Sequence, residues 1–222
     1  MSWDVLHDIV KNWSDLNVER PLIQQQAPIL FDAVEEGLSR KYPDIELATL
    51  AILELEHRNS SKAMTSASKI RAMLREKEHH PIPWLMQARR NLHLLKFEDK
   101  PKKSYTNSLY VILRDGFSEK NGRYGIYVGE TTKTVEERFD QHMSGIKAGK
   151  GLPKHGIQLL FSLMWPWQKV PGNKRLFYES ALHHALTFAN ISGPVVKGNK
   201  EPIKNWPTNF QKKLVELIMD KT

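Results

Sequence analysis

Two short runs of strand-forming residues, 109–113 (LYVIL) and 125–128 (GIYV), constrain this chain more than any other feature. Val, Ile and Tyr suit a pleated, half-buried surface, where a branched Cβ or an aromatic ring packs well. Asn121-Gly122 lies between the runs. Both residues accept positive φ, so Asn-Gly between such runs marks a hairpin. The connection, residues 114–124, is longer than a tight turn and reads as an exposed loop on a two-stranded ribbon. Gly129 and the Thr/Lys cluster after it read as a turn and a helix start. That helix carries Val135, Phe139 and Ile146 on its apolar side. Arg138 and His142, four residues apart, share one face of it. Two tyrosines on neighbouring strands, Tyr110 and Tyr127, followed by an Arg/His pair, suit the handling of a phosphate.

These residues resemble a known family. Ser108-Leu109-Tyr110-Val111-Ile112 is similar to the first half of the GIY-YIG nuclease motif, and Tyr127-Val128-Gly129 to the second half. Arg138 and His142 fall where that family carries its helix arginine and a His or Tyr. The resemblance spans about residues 107–200, and its elements occur in the family's order. One departure is plain: the first triplet is Ser-Leu-Tyr, not Gly-Ile-Tyr. The glycine there is a backbone matter, whereas the tyrosine is the chemical residue, and it is kept. The resemblance implies a small α+β domain, a three-stranded antiparallel sheet flanked by helices. It implies a metal-dependent endonuclease that hydrolyses DNA phosphodiester bonds, a restriction or mobile-element enzyme.

Charge agrees with a polyanionic partner. The chain of 222 residues carries a net charge of +8. Residues 1–100 hold 14 Lys/Arg against 15 Asp/Glu, which leaves 19 against 10 in residues 101–222. The whole excess therefore lies in the half with the motif, where basic side chains that meet phosphates release counterions. Lysines that merely solubilise the domain are the plainer explanation. With no Cys there is no disulfide, no thiol nucleophile and no Cys-based zinc site. No apolar run of membrane-spanning length and no signal-peptide pattern at Met1 occur, so the expectation is a cytoplasmic protein with no membrane partner.

The first hundred residues read as an all-helical accessory domain for dimerisation or DNA recognition, and residues 105–222 as the nuclease domain with a C-terminal helix. Trp3, Leu6, Val10 and Trp13 recur at helical spacing. Asp44 caps a helix to His57 that is apolar nearly all round and therefore buried. Ser60 or Ser61 caps the next, with Met64, Ala67, Ile70 and Leu74 inward. Trp84, Ala88, Leu92 and Leu95 mark a last helix before a charged, proline-containing linker over 98–104. In the second half, residues 145–151 form a basic glycine loop that either drapes on phosphate or is a surface turn. An apolar run over 157–165 reads as a third strand, 175–189 as a helix, and 208–219 as one more.

Glu179 lies on the same helix face as Leu182 and Leu186. A carboxylate on an apolar face is costly unless it binds a metal, accepts a proton or pairs with a base. An ion pair with Arg175 or His183 is the structural alternative. The resemblance implies the metal ligand, since the family carries its single glutamate ligand on a helix after the third strand, and Glu179 is the one acidic residue between Asp140 and Glu201. The metal would be Mg2+ or Mn2+, a hard cation suited to one carboxylate, water and substrate phosphate. The family also places an Asn beyond that helix. Asn190 and Asn199 compete, and Asn199 is preferred because Val195-Val196 followed by Gly198-Asn199 resembles a short extended segment. The resemblance assigns Tyr110 as general base or water-orienting group, Arg138 as phosphate clamp, and Tyr127 and His142 as phosphate contacts or proton relay. The alternative is a nucleic-acid-binding module of the same fold without catalysis. Double-strand cutting with one site per chain implies a homodimer, by analogy.

Overall fold

The computed structural model describes residues 2–14, 18–94, 104–117, 123–164, 168–187, 196–197 and 208–219. The chain is mixed α+β and divides into two compact units, Met1–Ile82 and Pro83–Thr222.

The first unit holds four helices among its described residues: α1 (Trp3–Lys11), α2 (Ala27–Leu38), α3 (Ile45–Arg58) and α4 (Ser61–Glu76). Asp44 starts α3 as expected, its Oδ1 accepting the Leu47 N–H at 2.9 Å. Such a cap typically contributes about 1 kcal/mol. Ser60 caps α4 by accepting from the Ala63 N–H. α3 is buried along most of its length, Glu54 included. The Glu54 carboxylate is tolerated there because Arg20 and Arg58 each donate to it at 2.7 Å. Met64, expected inward on α4, is instead 41% exposed, while Ala67, Ile70 and Leu74 are buried.

The second unit begins earlier than its composition suggests. Helix α5 (Leu85–Leu94) packs on α8 (Arg175–Thr187), with Asn91 Nδ2 donating to the Ala185 carbonyl at 3.2 Å. Arg89 Nη1 donates to the Ser162 carbonyl at 2.9 Å. The expected division at 100/105 is therefore corrected to 82/83. The apolar stripe of α5 requires a partner surface but does not name it, which is why the charged linker was a false boundary marker.

The sheet follows the order β3-β1-β2-β4, with β1 (Ser108–Arg114), β2 (Gly125–Thr131), β3 (Gly156–Leu159) and β4 (Val196–Lys197). β1 pairs antiparallel with both β2 and β3, while β4 adds a two-residue parallel strand beside β2. The expected three-stranded antiparallel sheet is thus present with a fourth strand on its edge. The third strand is shorter than expected. After Leu160, whose N–H still reaches the Val111 carbonyl, residues Phe161–Leu163 coil into a 3-10 turn. Asn121-Gly122 lies outside the described residues.

Gly129 belongs to β2, not to a turn. The helix start lies five residues on, at Thr134, where a reciprocal capping box opens α6 (Val135–Met143). Thr134 Oγ1 accepts from the Glu137 N–H, and Glu137 Oε2 accepts from the Thr134 N–H, both at 3.2 Å. α6 buries Val135 and Phe139 but ends before Ile146, which is 56% exposed and not on its apolar side. A single turn, α7 (Leu152–His155), leads into β3, and α9 (Thr208–Met219) closes the described chain. Among the described residues no helix is long and apolar enough to cross a membrane.

Candidate active site

The register of the ribbon decides which side chains meet. Tyr110 stands opposite Gly129, and Ile112 opposite Tyr127, so both tyrosines lie on one face, diagonally across the strand pair. Their ring centroids are 6.2 Å apart with planes at 27°. Gly129 makes room for this: a Cβ there would lie 2.5 Å from Tyr110 Cζ. The glycine is thus needed in mid-strand for close approach rather than for a turn.

α6 brings the histidine onto the tyrosines. His142 is fully buried, and its ring centroid lies 5.6 Å from that of Tyr110 and 5.5 Å from that of Tyr127. Its Nε2 is 2.7 Å from Tyr110 Oη. Its Nδ1 accepts the main-chain N–H of Gly149 at 3.0 Å. Burial, with Arg138 adding to it, lowers the imidazole to a pKa of about 4, so the ring is neutral near pH 7. Gly149 is the site residue that sequence reasoning missed, and it belongs to the basic loop over 145–151. A Cβ on it would fall 2.6 Å from Tyr127 Cε2. The one signal in the sequence was the glycine itself, which is equally at home in a surface turn.

Arg138, half-buried on the same helix, donates to the Lys147 carbonyl at 3.0 Å and to Gln141 Oε1 at 3.3 Å. It sits close to Tyr110. Burial pushes the Tyr110 phenol well above its ordinary value, Tyr127 and Glu179 push the same way, and Arg138 pulls it back by charge and hydrogen bonding. Tyr127 is raised by burial and by Glu179, and lowered by Arg138 and by a hydrogen bond with Tyr110. Both tyrosines are therefore neutral phenols near pH 7.

α8 packs on β1 and β2 and holds Glu179, which is buried alongside Leu182 and Leu186. Its carboxylate acts electrostatically on both tyrosines. Arg175, an expected alternative partner, is turned to Glu130, with Nε 3.5 Å from Oε1. Among the described residues there is no group of three or more His, Cys, Asp or Glu side chains arranged to hold a metal. A cation that keeps most of its water and binds one carboxylate does not need such a group, and Glu179 fits that donor set.

Tyr110, Tyr127, Arg138 and His142 thus come together on one face of the sheet, with Glu179 near enough to act electrostatically on both tyrosines. Scans against family models, curated proteins and solved structures return no match to this chain. Asn199 and Asn190 lie outside the described residues, although β4, just before Asn199, pairs Lys197 with Tyr127. Arg114, on the tyrosine face two positions beyond Ile112, is a further cation there, 9% exposed and bonded through Nη1 to the Lys150 carbonyl at 3.4 Å. Lys147 and Lys150, whose carbonyls hold Arg138 and Arg114, are exposed.

Proposed function

We propose that this protein is a metal-dependent endonuclease that hydrolyses nucleic-acid phosphodiester bonds, DNA being the substrate the resemblance implies. The observation that carries the reading is the convergence of two tyrosines, a guanidinium and an imidazole, with a buried carboxylate that acts on both phenols. The basic excess of the same half supports it through attraction of the phosphate backbone.

In this reading Arg138 exchanges its carbonyl partner for a non-bridging phosphate oxygen, where its planar fork of donors stabilises the charge that builds in the transition state. Glu179 would hold Mg2+ or Mn2+, which when bound supplies positive charge at the scissile phosphate and beside the phenols. Tyr110, a phenol in the free protein, holds the attacking water by hydrogen bonding and takes up its proton while passing its own, through the Tyr127 hydroxyl, to a phosphate oxygen of the substrate, from which the departing oxygen is protonated. Tyr127, less buried than Tyr110, faces the incoming strand and hydrogen-bonds the phosphate.

The test is plasmid nicking with Mg2+ by the wild type and by Glu179→Gln. The expected outcome is a loss of at least about a hundredfold in cleavage by the variant with duplex binding retained. Equal cleavage by both proteins would remove Glu179 from the site. Salt-dependent binding with no cleavage by the wild type, in Mg2+ or Mn2+, would turn the reading to a binding module.

A further inference from the structure

His142 is flanked by a donor on one side and a hydroxyl on the other, and the donor leaves no choice. A main-chain N–H can only donate, so the Gly149 N–H at 3.0 Å requires a bare Nδ1. A proton on Nδ1, in the other neutral tautomer or in the imidazolium, would set two donors against each other at a fully buried ring. That arrangement costs enough to disfavour either form by roughly tenfold or more. The ring proton is therefore on Nε2, which is 2.7 Å from Tyr110 Oη. Nε2–H must donate, so Tyr110 Oη must accept, and the phenol's own proton is directed away from the histidine.

We propose that Gly149 is a positioning residue whose main-chain N–H makes His142 a fixed hydrogen-bond donor to Tyr110 and bars it from acting as a base. The histidine neither gains nor loses a proton during turnover. Its work is to support negative charge on Tyr110 Oη when the phenol proton leaves. That proton passes to the Tyr127 hydroxyl, which hands its own to a phosphate oxygen of the substrate, because the imidazole side is already filled. The consequence in turnover rests on the nuclease reading; the tautomer itself does not.

Two features tie Gly149 to this role. A side chain at the position would collide with Tyr127, so the loop backbone can come this close only as glycine. In the free protein the same loop is held by Arg138 on the Lys147 carbonyl and by Arg114 on the Lys150 carbonyl, which brackets the Gly149 N–H; the Arg114 bond remains when Arg138 turns to phosphate.

The test is nitrogen-15 NMR of the histidine rings in the full-length wild type between pH 5.5 and 8. The expected result is a His142 ring with a bare Nδ1 and a protonated Nε2 that do not change over that range. A protonated Nδ1, or shifts that move with pH, would overturn the proposal. Cleavage by His142→Gln and His142→Phe gives the second arm. A glutamine amide can donate to Tyr110 but cannot take up a proton, so His142→Gln should stay within roughly tenfold of the wild type while His142→Phe falls by a hundredfold or more. Equal, deep losses in both variants, with folding intact, would make His142 a base and sink the proposal. A wild type that cuts nothing yet shows a bare Nδ1 supports the fixed tautomer and overturns the nuclease reading alone.

Discussion

His142 is the residue at which burial matters most. Its imidazole, lowered to about 4 by burial and by Arg138, has an ordinary value near 6.5 in the unfolded chain. Between those values the unfolded state binds the proton and the folded state does not. Stability from this group is therefore full above about pH 6.5 and is lost as pH falls towards 4. Relative to His142→Gln, the wild type should lose as much as about 3 kcal/mol over that window, measured by urea unfolding at stepped pH. A difference between the two proteins that stays flat with pH would contradict the depressed imidazole. Tyr110, Tyr127, Arg138 and His142 are legible in the sequence because strand periodicity and helical spacing place them locally. Gly149 is not, since its importance comes from contact with Tyr127 and His142, and nothing within the loop announces either.

At the scale of elements, the tyrosine ribbon depends on a glycine in mid-strand. Gly129→Ala would drive a methyl into the Tyr110 ring, with backbone and strand partners leaving little slack. The expected cost is about 1–3 kcal/mol, read as a lower urea midpoint with an unchanged slope, together with a loss of cleavage as Tyr110 moves off His142. The sequence invites the wrong reading of this glycine, because glycine before a Thr/Lys cluster is also what a turn looks like. The start of α6 shows the opposite case. Thr134 and Glu137 carry their capping chemistry within four residues, so the helix start is readable without knowing the fold. β4 lies between these cases: Val195-Val196 suggests extension, but its parallel pairing with β2 is a long-range event.

For the whole molecule, the decisive correction is the place where one unit ends and the next begins. A fragment of residues 83–222 keeps α5 and its bonds to Ala185 and Ser162, whereas a fragment of residues 101–222 leaves those carbonyls and the buried face of α8 uncovered. The first should unfold cooperatively in circular dichroism, and the second should aggregate or melt without a sharp transition. Two equally cooperative fragments would show α5 to be dispensable. The composition misled here because charge and proline mark where a chain can be loose, not which surfaces it joins. Lys102 and Lys103 each offer trypsin a cleavable bond in the same region, whereas Lys100, followed by Pro101, does not. Scission there would cut one polypeptide into two without parting them. α5 would stay covalently joined to residues 1–82 while still packed on α8, so a denaturing gel would show two pieces and gel filtration one particle.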